Sequence, residues 1–177
     1  MSGAISRRAL LAGLLPLAGC GFQPVYMPTA TRSAGPAERE LAKVNVPLMA
    51  DRPGQVLRQA LQARLHNDSG GLHRYDLRVA FWVNGEGLAV TPDNSATRLR
   101  LTGYANWVLL ANGPPQVKLT EGSARALDGL NILDQQYFAL DMENEAVQRR
   151  IADRIADQIT MQLAIYFRQQ AAKTAAG

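Results

Sequence analysis

The sequence predicts an α+β domain: a four-stranded, mostly antiparallel sheet with two helices packed on one face, preceded by a flexible tether. Three observations predict it. Apolar residues alternate with period two through residues 74–83 and 97–111, they recur every four residues through 141–171, and clusters of Gly, Pro, Asn and Asp separate these stretches. The chain has 177 residues, 47% hydrophobic and 19% charged, enough for one modest packed domain and too few for a multidomain enzyme. A single Cys excludes a disulfide scaffold. No run of about 18 uncharged apolar residues exists, so no segment is expected to span a membrane as a helix.

Residues 23–40 hold Pro24, Pro28 and Pro36 among Thr, Ser, Ala and Gly, the composition of a tether. A single domain is expected over residues 41–177. Val44, Val46 and Leu48 alternate with polar neighbours as a short strand, with Pro47 at an edge or strand end. Asp51 and Pro53 start a helix whose apolar face is Leu57, Ala60, Leu61 and Leu65, and Asn67-Asp68-Ser69-Gly70-Gly71 stops it. In the next strand Tyr75, Leu77, Val79, Phe81 and Val83 share one face, and Arg74, Asp76, Arg78, Ala80 and Trp82 the other. Asn84-Gly85 with Gly87, and then Thr91-Pro92-Asp93-Asn94, read as turns.

Residues 97–111 form the clearest strand, with Leu99, Leu101, Ala105, Trp107 and Leu109 opposite Arg98, Arg100, Thr102, Tyr104 and Asn106. After Asn112-Gly113-Pro114-Pro115 a further strand begins at Val117 and Leu119 and runs to about Ala126. Its meander with the two preceding strands, added to the opening strand and helix, completes the sheet. The closing helix is expected from about Asp141 to Ala171. Its stripe is Val147, Ile151, Ile155, Ile159 and Leu163, widened by Ala152, Ala156 and Met161. Asp141, Glu143 and Glu145 suit its amino terminus, Arg168 and Lys173 its carboxyl end, and Arg149 is placed to pair with Glu145 and Asp153.

The amino terminus accounts for the lone cysteine. Arg7 and Arg8 precede the apolar stretch Ala9–Leu17, the pattern of a secretory signal peptide over residues 1–19. Leu17-Ala18-Gly19-Cys20 then looks like the lipobox of bacterial lipoproteins, in which Cys20 is acylated and begins the mature chain. Several acyl chains at about 0.8 kcal/mol per buried methylene anchor a protein without a spanning segment. Residues 20–40 would then be a lipidated tether. Ser6-Arg7-Arg8-Ala9-Leu10-Leu11 also resembles a twin-arginine signal but lacks the usual Lys, so ordinary secretion is favoured and both routes stay open. Gly21 is not the Asp that resembles an inner-membrane retention signal, which favours the outer membrane. Loss of residues 1–19 removes Arg7 and Arg8 and no acid, taking the formal charge from +4 to +2. No dense basic stripe remains, so no nucleic-acid partner is expected.

Catalytic chemistry is hard to assemble. His66 and His73 flank a Gly-rich loop without the spacing or Cys partners of a zinc site, so no metal is expected. Gly85-Glu86-Gly87 lacks the third glycine of a dinucleotide fingerprint and reads as a hairpin turn. No G-x-S-x-G elbow is present, and Cys20 belongs to the lipobox. Asp141, Glu143 and Glu145 are explained by helix-end electrostatics more simply than by acid and base work. No enzyme is expected, and no cofactor beyond the acyl groups on Cys20. What stands out is the second sheet face, where Arg74, Arg78, Arg98, Arg100 and Lys118 share a parity with Trp82, Tyr104, Val108 and Leu110. That face is either ordinary solvated surface or an interaction surface, with guanidinium forks for phosphate and apolar neighbours for acyl chains or a protein partner.

Cys20-Gly21-Phe22-Gln23-Pro24-Val25-Tyr26 resembles the mature start of the LptE lipoproteins of lipopolysaccharide assembly, of alphaproteobacterial type. Tyr137-Phe138-Ala139, an acidic stretch, and Ala146 to Phe167 ending Leu163-Ala164-Ile165-Tyr166-Phe167 are similar to that family's closing helix. The resemblance implies a small sheet with two helices on one side. It implies an outer-membrane lipoprotein that plugs and assembles the large β-barrel LptD and helps move lipopolysaccharide to the cell surface. It gives Arg78, Arg98, Arg100 and Lys118 a phosphate-bearing ligand as candidate contacts. The alternative from another class is an auxiliary lipoprotein of a lipid-transporting ABC system.

Overall fold

The computed structural model describes residues 35–65, 72–90, 96–131 and 137–176. The expected signal peptide, Leu17, Ala18, Gly19, Cys20, His66 and the turn expected at Thr91-Pro92-Asp93-Asn94 lie outside them. In chain order the elements are α1 (Pro36–Leu41), β1 (Val44–Asn45), α2 (Arg52–Leu65), β2 (Tyr75–Val90), β3 (Ala96–Ala111), β4 (Val117–Asn131) and α3 (Tyr137–Ala176). The sheet order is β1-β2-β3-β4, with β1 parallel to β2 and the other pairs antiparallel. The expected fold class is the observed one.

The core lies between one sheet face and the helices. Leu57, Leu61 and Leu65 of α2 and Val147, Ile151, Ile155, Ile159 and Leu163 of α3 are wholly buried. A four-residue apolar spacing on a 3.6-residue helix makes one stripe, and burying it against the sheet is what stabilises each helix. The sheet offers small residues where α3 crosses: Gly103 and Ala105 on β3, Gly122, Ala124 and Ala126 on β4. A Cβ on Gly103 would collide with Ile151 Cγ2 and stand 3.0 Å from Ile155 Cδ1. One on Gly122 would lie 2.7 Å from the buried Trp107 ring.

Polar side chains at four-residue spacing on α3 also close the outer edge of β4. Arg154 Nη1 donates to the Leu127 carbonyl at 2.6 Å. Gln158 donates to the Arg125 carbonyl at 2.9 Å and accepts from the Arg125 amide at 3.2 Å. Gln162 accepts from Trp107 Nε1 at 2.9 Å and donates to the Ser123 carbonyl at 3.0 Å. Arg150 Nε reaches Asp128 at 2.6 Å. Burial works against the Asp128 carboxylate, but the Arg150 hydrogen bond and the Gly129 amide outweigh it and hold its pKa below the usual value.

Several sequence expectations give way. Residues 36–40, read as tether, form most of α1, because Pro36 suits a first helical turn and Ala37 and Leu41 bury against α3. Among the described residues the helices on the buried face are therefore three. Gly85-Glu86-Gly87 is not a turn: β2 runs through it and pairs with Leu101, Arg100 and Leu99, with irregular register only beyond Gly87. Leu48 is 79% exposed because β1 ends at Asn45, and Met161 is 53% exposed on the solvent side of α3. The closing helix starts at Tyr137, so Asp141, Glu143 and Glu145 lie beyond its first turn. Among the described residues no helix is long and apolar enough to cross a membrane.

Candidate functional site

With all the described helices on one side, the other sheet face is left uncovered among the described residues, and cross-strand register determines which side chains meet there. Antiparallel partners share a face. From the β1 end the rows are Asp76–Leu110–Lys118, Arg78–Val108–Glu121, Ala80–Asn106–Ser123, Trp82–Tyr104–Arg125, Asn84–Thr102–Leu127 and Glu86–Arg100–Gly129. Arg98 lies one row further, opposite Ala89 and Asn131. A skipped pairing between Leu109 and Leu110 turns Lys118 to this face.

The four basic residues expected to act together fall into two groups. Arg78 and Arg100 are eight registers apart, about 26 Å along the strands. At one end Arg78 Nη2 donates to Gln116 at 2.8 Å, while Asn45 donates to Asp76 at 2.8 Å. Lys118 pairs with Glu121 at 2.9 Å. At the other end Arg98 is exposed, and Arg100 reaches Glu86 only at 3.9 Å. The far pair is thus the less committed cation source, and solvent screens what ion pairing there is.

Between the groups lies a three-strand row. Trp82 and Tyr104 stack with ring centroids 5.7 Å apart and planes 17° from parallel. The Arg125 guanidinium carbon stands 5.2 Å from the Tyr104 centroid on the next strand. Trp82 and Tyr104 are visible in the sequence as aromatic residues of the right parity, but Arg125 joins them only through the β3–β4 register.

A second feature has no counterpart in the sequence expectations. A cleft of about 890 Å³ opens where α1 meets the carboxyl-terminal half of α3, lined by Arg39, Lys43, Arg74, Tyr75, Tyr166 and Phe167 among others. The Tyr75 and Phe167 rings lie 5.1 Å apart and those of Tyr166 and Phe167 5.4 Å. Tyr75 Oη donates to Glu40 Oε2 at 2.8 Å, and Lys43 Nζ donates to Glu40 Oε1 at 2.6 Å. Burial and the Glu40 contact push the Tyr75 hydroxyl up to about 12. The Glu40 carboxyl is held low, since its hydrogen bonds to Lys43 and Tyr75 outweigh the effect of burial. The cleft is assembled from α1, β2 and α3, so no local pattern announces it.

The remaining candidates are structural. Glu145 is bound by Arg52 of α2 at 2.6 Å and by Arg149 at 3.6 Å, and the Arg52 hydrogen bond draws its pKa down. Asp153, expected beside Arg149, pairs instead with Arg64 at 3.2 Å, and Asp157 binds the same guanidinium. These pairs tie α2 to α3. His73 holds a buried Nδ1 without a hydrogen-bond partner, and among the described residues no three His, Cys, Asp or Glu side chains gather to hold a metal.

Comparison with known proteins agrees with this geometry. The family model described as LptE, lipopolysaccharide-assembly, matches residues 41–163. Among solved structures, a candidate lipoprotein from Caulobacter crescentus aligns with a TM-score of 0.63 at 23% identity, over 74% of this chain and 95% of that one. A lipoprotein B from Nitrosomonas europaea aligns with a TM-score of 0.50 at 16% identity, over 70% of this chain and 81% of that one. These likenesses are likenesses of fold. No curated protein matches the chain. Because the family model spans more than half of the sequence and covers β1 through most of α3, the chain belongs to the LptE family of lipopolysaccharide assembly, a family of assembly proteins rather than enzymes.

Proposed function

We propose that this chain is an outer-membrane lipoprotein, anchored on the periplasmic side through acyl groups on Cys20, that plugs and assembles the LptD β-barrel and assists transport and insertion of lipopolysaccharide at the cell surface. The observation that carries this reading is the family match over residues 41–163. The uncovered sheet face supports it. A barrel lumen is polar, and a plug whose exposed face mixes Arg78, Lys118, Arg98 and Arg100 with Trp82 and Tyr104 suits that surface. Guanidinium forks pair well with phosphate oxygens, which lipopolysaccharide carries. Affinity capture of the acylated protein from detergent-solubilised envelopes, with mass spectrometry of what co-elutes, tests the reading. Recovery of a large outer-membrane barrel with lipopolysaccharide is the expected result. Recovery of an inner-membrane ATPase and permease instead would assign the chain to a lipid-transporting ABC system.

A further inference from the structure

We propose that two copies of this chain pair edge to edge through β2, antiparallel about a two-fold axis at Trp82, to make one continuous sheet. The fold treats its two sheet edges differently. The β4 edge is closed by Arg154, Gln158 and Gln162. On the β2 edge, β1 pairs only with Tyr75 and Asp76. From Leu77 to Gly87 β2 holds regular register with β3 and has no other strand beside it among the described residues. The Arg74 carbonyl accepts from Asn112 on the β3 side, and the Tyr75 amide donates to Lys43 on the β1 side. From Asp76 on, even-numbered residues therefore direct their backbone groups to β3 and odd-numbered ones, from Leu77 to Gly85, direct theirs outward. Edges are normally blunted by Lys, Pro or a bulge, and residues 77–86 contain none of these.

The side chains of β2 select a second copy as the occupant. Arg78, Trp82 and Glu86 share the uncovered face at equal spacing, so Trp82 is equidistant from a cation and an anion. When Trp82 faces Trp82 of the other copy, Arg78 of each lies opposite Glu86 of the other. One rotation forms both ion pairs, as a self-complementary interface requires. Moving the axis by one residue sets Arg78 against Asn84 or Leu88 and loses both. On the helix side the same register opposes Phe81 to Val83, Val79 to Gly85 and Leu77 to Gly87. Both charged groups are available: Arg78 binds the neutral Gln116, and the 70% exposed Glu86 carboxylate is 3.9 Å from Arg100. Trp82 is 42% exposed and stacks on Tyr104 from the β3 side, which leaves its other ring face toward the open edge. Pairing would continue the row Arg125–Tyr104–Trp82 into its two-fold image.

Sedimentation velocity of the full mature chain in mild detergent tests the proposal. The expected result is a concentration-dependent dimer, with Arg78→Glu or Glu86→Arg alone weakening association about tenfold and the two together restoring it. In a parallel oxidation experiment Trp82→Cys should cross-link, because residue 82 alone faces itself at the roughly 4.5–5.5 Å that a disulfide spans. Ala80→Cys, carrying the same Cys20, should not. A chain that stays monomeric at every concentration overturns the proposal, as does a double variant no better than the single ones, or equal cross-linking at positions 80 and 82.

Discussion

Gly103 is where the sheet allows α3 to come close, and a side chain there has nowhere to go because Ile151 and Ile155 already fill the space above it. Gly103→Val should cost about 1–3 kcal/mol through overpacking, whereas Gly113→Ala, with open space around the added carbon, should stay within about 0.5 kcal/mol. Urea unfolding midpoints of the two variants read the difference. Tyr75 makes a different residue-scale statement. Its hydroxyl titrates near 12 in the folded chain, against about 10 unfolded. A raised folded pKa means that the stability from the neutral hydroxyl is fully present below about pH 10 and is lost as pH rises through about 12. Tyr75→Phe should therefore cost about 1 kcal/mol at neutral pH, by loss of the Glu40 hydrogen bond, and the cost should shrink in alkali. Thermal melts of both proteins at pH 7 and pH 11 test this.

At the scale of elements, α3 is both a lid on the core and a cap on the sheet. Its apolar stripe faces the sheet, and Arg154, Gln158 and Gln162 offer β4 the partners that another strand would otherwise supply. Gln158→Ala with Gln162→Ala should leave the fold intact, lower stability by about 1–3 kcal/mol and speed hydrogen exchange at the Arg125 amide, which Gln158 holds. Unchanged exchange there would mean that the edge does not depend on the helix. The strands and α3 are legible in the sequence because alternation and four-residue spacing persist over many residues. α1 is not, because six residues are too few for a period to show. Gly85-Glu86-Gly87 misleads because glycine marks turns locally, while β3 supplies sixteen residues against which β2 continues straight.

For the whole molecule, the placement of all the described helices on one side makes the sheet face left uncovered among the described residues its distinguishing surface. Parity alone puts Arg78, Arg98 and Arg100 on that face, Lys118 joins them only through the skipped pairing beside Leu110, and parity cannot measure distance along the strands, so the two-group arrangement emerges only from register. Arg125 and the cleft beside α1 need tertiary contacts that no linear pattern encodes. If lipopolysaccharide phosphates contact the far group, charge reversal of Arg98 and Arg100 together should weaken lipopolysaccharide binding about tenfold or more while the thermal midpoint holds, whereas reversal of Lys118, already paired with Glu121, should matter less. Binding to immobilised lipopolysaccharide at two salt concentrations measures both effects.

The way the chain enters the domain gives it a mechanical character. Among the described residues, the first elements from the amino-terminal side are a six-residue helix resting on α3 and a two-residue strand beside β2. A load applied from that side meets these small attachments first. Detaching them would release up to about 3.3–3.6 Å of reach per residue without breaking any pairing within the long meander. The geometry predicts that, under a pull from that side, length is gained at α1 and β1 before the face carried by the meander changes shape.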